Sequence, residues 1–122
     1  HGPNGLDELN TAGANRVSHL KNNSVETYDL NPADLNLAPS TIQDLRGGAP
    51  DESAEMMKAI LSNQLQGARR DAVLLNAAAA LAAESGDFKS ALDEARASLD
   101  SGNALNKLNA LIEFTRQFQT IQ

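Results

Sequence analysis

The sequence contains no cysteine and no tryptophan, and aromatic residues make up only 3% of its 122 residues. The absence of cysteine excludes disulfide bonds and thiolate chemistry and is compatible with a cytosolic setting. The shortage of aromatic side chains excludes a core of stacked rings. Alanine occurs twenty times. Because alanine is the strongest helix former, we expect close-packed helices around a core of Leu and Ala.

Basic residues are also scarce: ten Lys and Arg stand against sixteen Asp and Glu, which gives a net charge of −6. Only Arg69 and Arg70 are adjacent, whereas nucleic-acid binding needs clustered positive charge. No apolar run reaches the roughly 18 residues of a membrane span, and the first residues lack the basic and apolar zones of a signal peptide. We therefore predict a soluble, cytoplasmic protein that binds neither nucleic acid nor membrane.

A β-hairpin is predicted over residues 16–30. Two short stretches with strand character, RVSHLK and VETYDL, are separated by Asn22, Asn23 and Ser24, and Asn tolerates the positive φ of tight turns. Pro32 ends the second strand, because proline has no N–H to donate to a sheet.

Apolar residues at helical spacing and glycine stops predict helices in the remainder of the chain. We expect a first helix opened by Asp51 and three more after it, with one further helical turn over 40–45. The four predicted helices cover residues 51–66, 70–85, 88–101 and 103–120.

The second predicted helix is apolar on all sides, since Asn76 is the only polar residue between Ala72 and Ala83. Such a helix is buried on most sides, and in α/β proteins it lies against parallel strands. No near-continuous Val/Ile run supplies such a strand here. We therefore expect an α+β segment of an α/β domain whose sheet lies N-terminal to His1. A self-contained helical cluster is the alternative.

Asp7 and Glu8 are the candidate metal ligands. They lie side by side in a Gly- and Asn-rich stretch, where two carboxylates can converge on one cation. Mg²⁺ is often held by one or two carboxylates together with water and substrate phosphates. The spacing alone also fits two solvated or capping acids.

Other polar residues carry weaker signals for chemistry. We expect His19 to be structural, Asn76 to hydrogen-bond a neighbouring backbone group, and Asp71 to cap the second helix. His1 offers no catalytic pattern. Since neither a phosphate loop nor a nucleophile elbow is present, the residues alone contain no complete active site.

The order of segments resembles the C-terminal part of the anthranilate phosphoribosyltransferase family. The resemblance is most specific in GLDEL and RDAVLLNAAAALAA and covers nearly the whole chain. The matching segments are HGPNGLDEL at 1–9, YDLNPADLNL at 28–37, LRGGAPDESA at 45–54, RDAVLLNAAAALAA at 70–83 and LDSGNALNKLNAL at 99–111.

This resemblance implies an enzyme of tryptophan biosynthesis that transfers phosphoribosyl from phosphoribosyl pyrophosphate to anthranilate. It implies a small helical domain that carries a homodimer contact and a larger α/β domain of the phosphoribosyltransferase and nucleoside phosphorylase type. Residues 1–122 correspond to the C-terminal part of that larger domain. The resemblance also implies that Asp7 and Glu8 help to hold Mg²⁺ against the pyrophosphate-bearing substrate.

Several of the family's functional segments are absent from this chain. They are the GTGGD-type pyrophosphate loop, the Lys-His-Gly-Asn-Arg segment, most of the anthranilate pocket and the helical domain. We therefore assign no catalytic or substrate-binding residue and expect the isolated segment to be inactive. Two alternatives stay open: a related phosphoribosyltransferase or pyrimidine-nucleoside phosphorylase-like enzyme with another acceptor, and a non-catalytic helical interaction module.

Overall fold

The computed structural model describes residues 1–118, and in this range a two-stranded hairpin is followed by four α-helices. This confirms the predicted α+β segment. The further helical turn predicted over residues 40–45 is not a helix; these residues form successive turns instead. The elements are β1 (Asn15–Lys21), β2 (Ser24–Leu30), α1 (Pro50–Leu61), α2 (Ala68–Leu81), α3 (Phe88–Asp100) and α4 (Asn103–Arg116), with short 3₁₀ turns at Pro3–Gly5 and Pro32–Leu35.

The hairpin prediction is confirmed. The two strands pair antiparallel, and Lys21 lies opposite Ser24 at the turn end. Asn22 and Asn23 have φ values of 52° and 60°, the left-handed conformation that both central residues of a type I′ turn require. The turn sequence therefore fixes the register of the sheet.

Helix α1 begins at Pro50, so the prediction that Asp51 opens it was wrong by one residue. The Glu52 carboxylate accepts a hydrogen bond from the Ala49 N–H at 2.9 Å, which satisfies one of the free N–H groups at the helix start. Proline fits the first helical position because its missing N–H has no helical partner there.

The end of α1 also differs from the prediction, because the helix stops at Leu61 and not at residue 66. Asn63 takes a left-handed conformation with φ 60°, and its Nδ2 donates to the Leu99 carbonyl at 3.1 Å. This tertiary contact with the end of α3 turns the chain away from the helix axis. Helix α4 also ends earlier than predicted, at Arg116, and residues 117–118 form a turn; the predicted end at residue 120 itself lies outside the described residues.

The core lies mainly between α2 and α3. It consists of leucine and alanine side chains, as the composition predicted, and the connector after β2 contributes two further leucines. The buried cluster contains Leu35, Leu37, Leu74, Leu75, Ala78, Ala82, Ala91, Leu92, Ala95 and Leu99.

Within residues 1–118, α2 is covered on one side only. Val73 and Leu81 are 40% and 48% exposed, and Ala77 and Ala80 on the same side are also exposed. The apolar sequence of α2 predicts a helix that is surrounded on most sides, and the described residues do not surround it in this way. Among the same residues, no helix combines the length and apolar character that crossing a membrane requires.

Replacement of a core leucine tests this division of α2 into two sides. Leu75 is fully buried, so we expect Leu75→Ala to lower the free energy of unfolding by about 2–5 kcal/mol. Leu81→Ala removes the same atoms from an exposed position of the same helix, and we expect a loss below about 1 kcal/mol. Urea unfolding followed by circular dichroism measures both; equal losses would contradict the assigned core.

Candidate functional site

Asp7 and Glu8 lie in a short loop between the Pro3–Gly5 turn and Leu9. Both residues are exposed. The loop is closed by a hydrogen bond from the Gly2 N–H to the Leu6 carbonyl at 3.0 Å. The turn closed by this hydrogen bond ends at Leu6, so it fixes the backbone immediately before the two acids.

Asn76 joins this loop to helix α2. Its Oδ1 accepts from the Leu9 N–H at 3.1 Å, and its Nδ2 donates to the Leu9 carbonyl at 2.8 Å and to the Ala72 carbonyl at 2.9 Å. The prediction that Asn76 hydrogen-bonds a backbone group is confirmed. Because Leu9 follows Glu8 directly, Asn76 fixes the chain immediately after the candidate metal ligands.

A second amide clamp follows at Asn10 and Asn15. The Asn10 N–H donates to Asn15 Oδ1 at 2.8 Å, and Asn15 Nδ2 donates to the Asn10 carbonyl at 2.9 Å. The two side chains are only 3% and 0% exposed. This clamp was not predicted; its one sequence signal is a pair of asparagines on either side of the Ala-Gly-Ala turn.

A cleft of about 360 Å³ lies between this loop and α2. It places the two acids beside the buried Asn10 and the bracing Asn76. Asn10 Nδ2 is buried without a hydrogen-bond partner among the described residues. The lining residues are Leu6, Asp7, Glu8, Leu9, Asn10, Leu45, Ala72 and Asn76.

The donor chemistry of Asp7 and Glu8 suits part of a magnesium site. Their carboxylates are hard oxygen ligands, and within residues 1–118 neither carboxylate is used in a hydrogen bond or an ion pair. Across the same residues, no group of three or more His, Cys, Asp and Glu side chains is placed to hold a metal ion. A magnesium ion held by this loop would therefore have two protein ligands and would need water or substrate oxygens to complete its coordination.

His19 is structural, as expected. Its Nε2 lies 2.9 Å from the Ala83 carbonyl, and Lys21 Nζ donates to the Ser85 carbonyl at 2.9 Å. Both contacts hold the hairpin against the C-terminal end of α2, where unpaired carbonyls accept hydrogen bonds. Neither side chain lines the cleft beside Asp7 and Glu8.

Asp71 does not cap α2. The residue before the helix is Gly67, and Asp71 lies in the first turn, where its N–H donates to the Gly67 carbonyl at 3.0 Å. Burial raises the pKa of the Asp71 carboxyl, and Arg70 and Arg96 oppose this shift. The prediction of an N-cap at Asp71 was therefore wrong, because the helix begins three residues earlier.

Comparison with known proteins relates this chain to one family. The family model described as "Glycosyl transferase family, a/b domain" matches residues 1–105. Anthranilate phosphoribosyltransferase of Desulfosudis oleivorans is 41% identical over 118 residues, and that of a Roseiflexus species is 44% identical over 119 residues. Each alignment covers 95% of this chain and 35% of the relative. The chain thus spans about a third of the length of the curated relatives it matches.

Solved structures give the same result. The crystal structure of anthranilate phosphoribosyltransferase from Thermus thermophilus superimposes with a TM-score of 0.82 at 33% identity, covering 95% of this chain and 34% of that one. The Saccharomyces cerevisiae enzyme in complex with 4-fluoroanthranilate gives a TM-score of 0.83 at 28% identity, covering 92% of this chain and 33% of that one. Both agree with the predicted α/β parent domain.

Loss of the Asn76 side chain tests the clamp on the loop. We expect Asn76→Ala to lower the free energy of unfolding by about 1–3 kcal/mol, since the partly buried Leu9 N–H and carbonyl lose their partners. Amide hydrogen exchange at Leu9 is expected to accelerate more than exchange in the core of α3. Asn106→Ala, at an exposed position of α4, is the matched control. Unchanged exchange at Leu9 would contradict the clamp.

Proposed function

The chain belongs to the glycosyl transferase family, a/b domain, and from this we propose that the complete protein is an anthranilate phosphoribosyltransferase of tryptophan biosynthesis. The observation that carries the proposal is the likeness, over 95% of the chain, to proteins of that name. The proposed substrates are phosphoribosyl pyrophosphate and anthranilate. The rival interpretations, another acceptor or a non-catalytic module, have no comparable observation in their favour.

In this reaction the bond between the anomeric carbon of the ribose and the pyrophosphate oxygen breaks, and a bond from anthranilate to that carbon forms. Negative charge accumulates on the departing pyrophosphate while positive character develops on the ribose. A transition state of this kind is stabilised by fixed charges and dipoles placed around it. The chemical demand on this part of the protein is therefore to hold a positive charge near the pyrophosphate.

We propose that Asp7 and Glu8 meet this demand by holding Mg²⁺. Held there, a magnesium ion would neutralise phosphate oxygens and would favour departure of the pyrophosphate. The acidic loop has no positive charge of its own to offer, and the two carboxylates are free for a cation. The Asn76 clamp supports this role, because it holds the loop in place while leaving both acids exposed.

The remainder of the proposed site lies outside this chain. The resemblance assigns the pyrophosphate loop and most of the anthranilate pocket to segments that residues 1–122 do not contain, and it assigns this chain to the C-terminal part of the enzyme. On the same basis we propose that the complete enzyme is a cytoplasmic homodimer whose dimer contact lies in its helical domain.

The 122-residue chain alone is expected to lack activity, because its two acids make up only part of a metal site. The measurement is consumption of anthranilate by the purified chain in the presence of phosphoribosyl pyrophosphate and Mg²⁺. The Desulfosudis oleivorans enzyme, assayed in parallel, is the positive control. Anthranilate consumption that depends on Mg²⁺ and on this chain would overturn the assignment of the missing site residues.

The role of the two acids is tested in a chimera, in which residues 1–122 replace the matching part of the Desulfosudis oleivorans enzyme. We expect Asp7→Asn and Glu8→Gln each to raise the Mg²⁺ concentration needed for half-maximal turnover by about tenfold or more, since each removes a charged ligand. Excess Mg²⁺ is expected to restore part of the rate.

Glu94→Gln is the control for charge, because Glu94 is an exposed acid on α3 that does not line the cleft. We expect its Mg²⁺ dependence to match that of the parent chimera. Unchanged Mg²⁺ dependence in both loop variants would refute the metal role, whereas an inactive parent chimera would count against the proposed activity.

A further inference from the structure

His1 pairs with β1 on the side opposite β2. The His1 amino group donates to the Arg16 carbonyl at 2.9 Å, and the Arg16 N–H donates to the His1 carbonyl at 2.9 Å. This exchange of two hydrogen bonds between opposite residues is the pattern of an antiparallel sheet. His1 therefore occupies the position of a third strand beside the hairpin.

The edge that β1 turns toward His1 continues beyond this pair. Because alternate residues of a strand direct their N–H and carbonyl groups to opposite sides, Ser18 and Leu20 point their backbone groups the same way as Arg16. Within the described residues, these groups have no hydrogen-bond partner on that side. An unpaired edge of this kind accepts an additional strand.

An apolar cavity of about 390 Å³ lies along the same edge, between the hairpin and the C-terminal half of α2. Its walls are formed by the half-buried face of β1 and by small side chains at the C-terminal end of α2 and just beyond it. Because these side chains are small, the cavity has room for larger side chains from another segment. The apolar lining includes Leu9, Val17, Tyr28, Ala79, Ala83 and Phe88.

We propose that this edge of β1 binds an extended, apolar β-strand that runs antiparallel to β1 and leads directly into His1. Its occupant is the portion of the family's α/β domain that the relatives have and that this chain, which covers 35% of their length, does not span. The proposal goes beyond the proposed activity and does not depend on it.

The His1–Arg16 pair fixes the register of the incoming strand. Residues opposite each other in a sheet share a face, so the residue immediately before His1 lies opposite Val17, and the residue two positions further upstream lies opposite His19. All three of Val17, Ser18 and His19 line the cavity, but Val17 and His19 are half-buried whereas Ser18 between them is exposed. The incoming strand therefore places alternate side chains over Ala79 of α2 and over Ala82 and Ala83 just beyond its end.

A short extension of the chain tests the edge and the register together. Thr-Val-Thr-Val placed directly before His1 puts both valines opposite Val17 and His19. We expect the melting temperature to rise and amide exchange at Ser18 and Leu20 to slow by about tenfold or more relative to the original chain. Val-Thr-Val-Thr, which has the same composition, turns its valines to the outer face, and a smaller rise is expected.

Proline variants identify the edge that is used. Ser18→Pro removes a free-edge N–H of β1, and Thr27→Pro removes the corresponding N–H on the outer edge of β2, directly opposite in the hairpin. We expect the first to abolish the stabilisation by Thr-Val-Thr-Val and the second to retain it. Unchanged exchange at Ser18 and Leu20, protection at Val25 and Thr27 in their place, or equal stabilisation by the two extensions would overturn the proposal.

The occupant is tested by the chimera that carries the upstream portion of the Desulfosudis oleivorans enzyme before His1. We expect the amides of Ser18 and Leu20 to be protected in the chimera and unprotected in the 122-residue chain. A chimera that is unfolded, or that is folded with both amides unprotected, would overturn the assignment of this portion as the occupant.

Discussion

The burial of one side of α2 against α3 is the contact on which the rest of this chain depends. Leu74, Leu75 and Ala78 are almost fully removed from solvent there, and burial of such side chains is the main favourable term in folding. Two other parts of the molecule attach to the same helix. The acidic loop is held by Asn76 on α2, and the hairpin is held by carbonyls just beyond its C-terminal end.

Alanine explains how one helix can serve these contacts. A small side chain lets neighbouring backbone approach closely, so α2 packs against α3 through Ala78 and Ala82 and still leaves space beside the hairpin. The side of α2 that faces solvent is apolar as well. A helix with two apolar sides fits between two layers, which agrees with the α/β domain of the family.

The sequence predicts those parts of the fold that local chemistry determines. Asn22 and Asn23 define the hairpin because few residues adopt left-handed φ, and Gly102 follows closely on the end of α3. Gly86 does not mark the end of α2, because that helix stops at Leu81 and not at the predicted residue 85. The end of α1 could not be predicted in this way, because Asn63 leaves the helix through a contact with Leu99 in a distant helix. The start of α2 was misplaced for a related reason: a polar residue near a helix start resembles a cap.

The sequence also predicted some features of the candidate site and missed others. The family resemblance assigned the two adjacent acids to a metal site, and this assignment stays a prediction. The single polar residue in an apolar helix correctly indicated that Asn76 binds backbone. The clamp between Asn10 and Asn15 had no comparable signal, because asparagine is common in loops and its burial is decided by tertiary packing. The resemblance assigns the rest of the proposed metal site to segments of the family that residues 1–122 do not include, so the residues of this chain could not predict it.

The link between Asn76 and Leu9 joins positions that are 67 residues apart in the chain. Closing so long a loop costs conformational entropy, and this cost is recovered only when α2 has formed and packed. The position of the acidic loop therefore depends on the packing of a helix that lies far from it in the sequence.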